Sequence, residues 1–402
     1  MTNNTEFTWA PLIPLIGGFP LGSEQAFKKP PVAIYSFPGL GNDLHYINYQ
    51  NNVKNLNLDY KVFEQDDYTF ERKINFIVGT PPCAGLSSLN TGKSDSVKGA
   101  SGKQNDYMYN FLKVAIHKFT PDIIALENAP ALATPKGRPV ANKLYEIAKE
   151  YGYSTLLYKT STHFHGIPQR RDRTFAIFFK GNKSKLFDYQ KLDYKHFKEY
   201  LQEYQTLTED TSQQVSKDLL EKDVYYNYLK AKHLDVRKLL TDAKIITCLQ
   251  YCEKNNLMND VLEWAESEGT EKDKKYIRHA VNKFSQGLGV WDGSVHIFDD
   301  KMNAVIGRNL ADSLHPFEDR SLTVNEALYM MGFPIDFKLL DERKYNHVAQ
   351  NVPVCTAKFI SEQCLKFLNG ELQDASSDYI KQDNWNNKIE DRSPVSLDES
   401  FE

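Results

Sequence analysis

The sequence predicts an α/β fold: a sheet with helices on both faces and a smaller domain inserted late in the chain. Three observations carry this. Short β-rich apolar runs alternate with helically spaced stretches as far as Lys180. Several of these runs end directly in a turn that bears glycine, proline or glutamate. From about Gly181 the texture changes to segments rich in Lys, Tyr, Asp and Glu, with helical periodicity and no strand–turn pattern.

Residues 32–37 form an apolar run ending at Pro38-Gly39-Leu40-Gly41, a strand feeding a glycine turn. Residues 60–63 make a shorter strand closed by Glu64, Asp66 and Asp67. Residues 75–79 end at Thr80-Pro81-Pro82-Cys83, and residues 122–126 end at Glu127-Asn128, with helical spacing over 108–119 between them. A further strand, 174–179, follows the polar cluster His165 to Arg173. Alternation of this kind predicts a parallel sheet, whose chemistry gathers in loops at the carboxyl ends of its strands. The glycine turn, Pro-Pro-Cys and Glu-Asn should therefore meet on one rim. The expected divisions are an N-terminal strap (1–31), a catalytic α/β domain (32–180), an insert (181–308), a return to the α/β domain (309–369) and an acidic, disordered tail (370–402).

The composition excludes several classes. No apolar run is long enough to span a membrane, and the N-terminus lacks the basic and apolar regions of a signal peptide. The 5 cysteines in 402 residues do not make a disulfide framework, which points to a reducing, cytoplasmic setting. Cys248 and Cys252 have no second ligand pair, so no metal is expected, and they should share a helix face. The net charge of −4 hides an asymmetry: residues 1–180 hold 20 Lys+Arg against 15 Asp+Glu, and residues 371–402 hold 3 against 9. The acidic balance is therefore no objection to a nucleic-acid partner.

A cysteine thiolate is a soft nucleophile suited to addition to an electron-poor ring. Glu127, at a neighbouring strand end, could protonate a ring nitrogen if a water-poor pocket raised its pKa. Arg171 and Arg173 alternate along a strand and should point the same way, toward the pocket. The stretch 89–105, with three glycines and three lysines, suits a lid that touches phosphate.

Taken together and in order, these residues resemble the cytosine-5 DNA methyltransferase family over about residues 32–368. Phe37-Pro38-Gly39-Leu40-Gly41 is similar to its cofactor turn, Pro82-Cys83 with Ser87 to its catalytic loop, Glu127-Asn128-Ala129 to its Glu-Asn-Val, and Gln169, Arg171 and Arg173 to its Gln-x-Arg-x-Arg. Arg320 to Ala327, Gly332-Phe333-Pro334 and Asn351-Val352-Pro353 resemble its closing motifs. The resemblance implies a Rossmann-like S-adenosylmethionine-dependent sheet with an inserted target-recognition domain, acting as a monomer on double-stranded DNA in a prokaryotic or phage-infected cell. It implies Cys83, Glu127, Arg171 and Arg173 as catalytic, with Ser87 and Gln169 on nucleic acid. Phe37, Gly39, Leu40, Gly41, Glu64, Asp66, Pro82 and Asn351 would bind the cofactor.

Departures lie on the cofactor side. Ala84 replaces the family's Gln, Asn42 replaces a Gly, and the interval from Gly41 to Cys83 is shorter than usual. Two further readings follow from them: a related C5-pyrimidine modification using another donor or group, and a DNA-binding relative without catalysis.

Overall fold

The structure, a computed structural model, describes residues 7–40, 49, 52, 58–82, 86, 103–188, 191–207, 215, 217–242, 247–288, 290, 294–306, 312–339, 344–375, 379–382 and 395–396. The chain divides into two compact units, Met1–Tyr194 with Leu328–Glu402, and Lys195–Ala327.

The first unit is built on strands β1 (Trp9–Leu12), β2 (Ile34–Ser36), β3 (Tyr60–Val62), β4 (Phe76–Gly79), β5 (Ile123–Asn128), β6 (Tyr153–Ser161), the short β7 (Gln169–Arg170) and β8 (Asp172–Lys180). After β9 (Met302–Asn303) in the second unit come β10 (Tyr379–Gln382) and β11 (Val395–Ser396). Nine of the described strands form one sheet in the order β11-β10-β6-β8-β5-β4-β1-β2-β3. β1 to β5 are mutually parallel, whereas β8 runs antiparallel between β5 and β6. The sheet is thus mixed rather than wholly parallel. β6 returns to β8 through a link too short for a helical crossover, and a short link permits only an antiparallel neighbour.

Two expectations are corrected here. Residues 1–31 are not a strap, because they supply β1 at the middle of the sheet and helix α1 (Gly18–Phe27). Pro11 hides this strand, since proline removes a ladder donor and argues against a central position. The fold tolerates it where the ladder is thin: β1 meets β2 only at Leu12 and Tyr35, while all four of its residues pair with β4. The acidic tail likewise contributes β10, parallel to β6, and β11, antiparallel to β10.

Helices α2 (Asp106–Phe119) and α3 (Arg138–Glu150) cover one face of the sheet, burying Phe111, Leu112 and Leu144 against Ile77, Ile124 and Phe178. Helix α1 and the closing helix Val354–Leu368 cover the other, where Phe19 and Ile360 join Trp9, Phe76 and Phe175. These two helices lie almost backbone to backbone. A Cβ on Gly22 would stand 2.5 Å from the Val354 carbonyl oxygen, and the Ser23 and Ser361 hydroxyls are 2.8 Å apart.

The second unit is mainly helical, with a core that includes Tyr225, Leu229, Val261, Ala265 and Ile277. Cys248 and Cys252 are buried in that core on one helix, Cys248–Lys254. Its limits differ from 181 and 308. Ser184 and Leu186 hydrogen-bond Thr155 and Gln373 in the sheet unit, and Leu220 bonds Asp319 within the insert. None of the described helices is long and apolar enough to cross a membrane.

Candidate active site

The sheet order puts a reversal between β1 and β4. β2 and β3 extend to one side of that pair and β5 to the other, and the helices α1 and α2 pack on opposite faces. Loops at the carboxyl ends of such strands part and leave a crevice. Five loops reach this rim: 13–17 after β1, 37–40 after β2, 63–66 after β3, 80–82 after β4 and 129–130 after β5.

The loop after β1 holds strained backbone. Ile13 (φ 64°), Leu15 (φ 52°) and Gly17 (φ 109°) all adopt positive φ within five residues. For a β-branched residue such as Ile13 this costs on the order of 1–3 kcal/mol and persists only where neighbours over-determine it. Here they do: the Ile13 N–H donates to the Tyr35 carbonyl at 2.8 Å, and its carbonyl accepts from the Thr80 N–H at 3.3 Å. The β1 loop is thereby tied to the loop that carries Pro81 and Pro82.

Two glycines complete the turn. A Cβ at Gly17 would stand 2.4 Å from the buried Tyr49 ring, and one at Gly18 would stand 2.1 Å from the Val352 carbonyl oxygen. Helix α1 starts at Gly18, whose N–H donates to Asn351 Oδ1 at 3.1 Å. That bond satisfies one of the first-turn donors that a helix cannot satisfy internally.

Across the rim, β5 delivers Glu127 and Asn128. Asn128 is fully buried, and its Nδ2 reaches the Pro81 carbonyl at 3.5 Å, a long bond between the two strand ends. Glu127 is 2% exposed and faces Arg173 at 2.7 Å (Nε to Oε1). Burial pushes its carboxyl above the usual range, against the opposing pull of Arg173 and, less strongly, of Arg171. A carboxyl held this way retains its proton at higher pH than a solvated one does. The arrangement offers a buried acid at the end of β5, bonded through its neighbour Asn128 to the Pro81–Pro82 loop.

The structure redistributes the other residues singled out from the sequence. Phe37 is buried at the end of β2, Gly39 is exposed and Leu40 is half-buried, so all three are on the rim. Glu64 and Asp66 are exposed after β3, while Asp67 is committed to Lys118 at 2.7 Å. Pro82 is half-buried at the head of its loop. Cys83, Ser87 and Gly41 lie outside the described residues.

Two of the expected site residues have side chains turned into the protein interior. Gln169 is fully buried and donates to the Met330 carbonyl at 2.5 Å. Arg171 is 1% exposed and donates to the backbone carbonyls of Ala349 and Asn351, so it does not aim at the pocket beside Arg173. Gly17-Gly18 falls within the expected strap, although a glycine pair between a short apolar run and an amphipathic stretch is also the sequence signal for such a turn.

Residues 8–366 match the model of the C-5 cytosine-specific DNA methylase family. Among curated relatives, the type II methyltransferase M1.HphI of Haemophilus parahaemolyticus is 23% identical, covering 90% of this chain and 88% of its own. M.Bpa9945I of Bacillus paralicheniformis is 23% identical over 75% and 73%. Among solved structures, the Entamoeba histolytica methyltransferase EhMeth superposes with a TM-score of 0.55 at 13% identity, covering 91% of this chain and 99% of that one. DNMT2 of Spodoptera frugiperda gives 0.51 at 12% identity, over 90% and 100%. At these identities the structural likeness speaks for the fold.

Proposed function

The chain belongs to the C-5 cytosine-specific DNA methylase family, and from that premise we propose that it methylates C5 of a cytosine flipped out of double-stranded DNA, with Cys83 as nucleophile. The observation that carries the reading is the buried Glu127–Arg173 pair beside the Pro81–Pro82 loop.

In this reading the Cys83 thiolate adds to C6 of the ring. Glu127 delivers its proton to N3, so the electron pair displaced by the addition accumulates at C5 instead of as charge on nitrogen. S-adenosylmethionine, when bound, supplies the electrophilic methyl group that C5 takes up. A base then removes the C5 proton, the pair left behind re-forms the 5,6 double bond and expels the Cys83 thiolate, and N3 returns its proton to Glu127. Arg173 keeps Glu127 oriented, and its cation steadies the ring carbonyl. Flipping costs a few kcal/mol of stacking and pairing, which contacts such as Ser87 to phosphate help to offset.

The chain's own residues fit the methyl donor. The turn at Gly17-Gly18 opens a helix N-terminus at the sheet's switch point. Among the described residues, none comes within 4 Å of where a Cβ on Gly39 (φ 77°) would stand. Glu64 and Asp66 stand exposed after β3, available to sugar hydroxyls or an amine. Phe37, Leu40, Pro82 and Asn351 would complete the site. With the turn at Gly17-Gly18, the interval to Cys83 is no longer short, and the apparent deficit on the cofactor side largely disappears. We assign target recognition to the unit Lys195–Ala327.

Incubation of the chain with methyl-labelled S-adenosylmethionine and cytosine-containing DNA, followed by mass spectrometry of the nucleosides, should yield 5-methylcytosine. A different modified base, or no transfer to any DNA, would sink the proposal.

A further inference from the structure

We infer that Arg171 is a positioning residue for the cofactor turn, acting through Asn351, and not a contact to the flipped base. The inference rests on the S-adenosylmethionine reading above.

Arg171 lies between β7 and β8, two residues before the arginine that faces Glu127. Its Nη2 donates to the Ala349 carbonyl and, at 2.8 Å, to the Asn351 carbonyl. Ala349 sits in the last turn of the helix Lys344–Gln350 and Asn351 just beyond it. Carbonyls there lack partners within the helix and carry the negative end of its dipole, so a buried cation is well matched to them. Arginine suits the task because its planar guanidinium stays charged and offers several donors in fixed geometry.

The residue so held spends its side chain on the cofactor turn. Asn351 Nδ2 donates to the His347 carbonyl at 2.6 Å, and its Oδ1 accepts from the Gly18 N–H at 3.1 Å. The Val352 carbonyl, one residue on, stands where a Cβ at Gly18 would fall. Gly18 is therefore fixed by the bond its N–H donates to Asn351 and by its closeness to Val352. Both belong to the segment that Arg171 clamps. A displacement of this guanidinium moves residues 349–352 and takes the start of α1 with it. Arg173 and Arg171 thus divide the rim, one serving the acid and the other the turn.

Arg171 also exerts a weaker pull on the Glu127 carboxyl, and the test must separate charge from clamping. Arg171→Lys retains the charge and loses the planar fork. Titration calorimetry of the full-length chain with S-adenosylmethionine, without DNA, should show Kd rising about tenfold or more for Arg171→Lys and likewise for Asn351→Ala. The double variant should bind no more weakly than the weaker single variant, because both break one linkage. Arg173→Lys should leave this Kd within about twofold while abolishing covalent capture of 5-fluorocytosine DNA. Wild-type affinity in Arg171→Lys, or additive losses in the double variant, would overturn the inference. Should Arg171→Lys fail to fold by near-ultraviolet dichroism, wild-type affinity in Asn351→Ala overturns it equally. Absence of binding by the unaltered chain would instead fell the S-adenosylmethionine reading, and this inference with it.

Discussion

Glu127 in the sheet unit and Glu326 in the helical unit are both buried carboxylates beside an arginine, and they titrate in opposite directions. At Glu326, burial by itself pushes the carboxyl up, but the Arg320 guanidinium donates to both oxygens at 2.9 Å. The Thr323 N–H adds a bond at 2.8 Å, and His315 Nε2 lies 3.4 Å away. His315 Nδ1 accepts from two backbone N–H groups, so its remaining proton sits on Nε2, facing Glu326. Together these donors hold Glu326 down to about 2. At Glu127 a single Nε contact from Arg173 does not offset the loss of water, and the carboxyl is raised. The presence of an arginine decides little; the number and geometry of donors decide the outcome. A fully satisfied carboxylate is a fastener, and an under-satisfied one is a proton donor.

The contrast breaks if the two glutamates respond alike to amidation. Glu127→Gln should lower single-turnover methyl transfer by about 10²–10⁴-fold, the usual worth of a positioned acid, with little change in melting temperature. Glu326→Gln should do the reverse: it weakens the inner half of the Arg320 pairing, while Glu318 still holds the guanidinium, and should cost about 1–3 kcal/mol in denaturant unfolding. A loss of activity in Glu326→Gln at temperatures where it remains folded would blur the distinction.

Titration sharpens the comparison. Glu326 has a folded pKa below its unfolded value of about 4.3, so its stabilisation is present above that pH. It is lost as pH falls through about 2. The stability gap between wild type and Glu326→Gln should therefore close on acidification below about 4.3. Glu127 acts as an acid with a raised pKa, so transfer should decline on the alkaline side as it loses its proton. A rate limb that persists unchanged in Glu127→Gln would assign that titration to another group.

Smaller effects are expected at the cofactor turn. Gly18→Ala places a methyl 2.1 Å from a backbone oxygen and should weaken S-adenosylmethionine binding about tenfold in calorimetry. Ser23→Ala removes one buried bond to Ser361, worth about 1 kcal/mol of stability.

Much of the chemistry was legible in the sequence because it sits in short motifs directly after strands. Glu127-Asn128 and Pro81-Pro82 stand out as polar or rigid residues ending apolar runs, and a sheet must bring such ends together. What escaped depends on long-range pairing. β1 reads poorly because Pro11 breaks its pattern, and its place beside β4 is fixed by tertiary contacts. Parity along an extended segment puts Arg171 and Arg173 on one side, but says nothing about which carbonyls lie within reach, and residues 349–351 are far away in sequence. The strand at 379–382 sits in a polar stretch, where only pairing with β6 reveals it.

The thiol of Cys83 is the centre of the proposed chemistry. Incubated with S-adenosylmethionine and duplex DNA carrying 5-fluorocytosine, the chain should form a covalent complex that survives denaturing electrophoresis, and Cys83→Ser should form none. A complex that persists in Cys83→Ser would contradict the assignment of Cys83 as nucleophile.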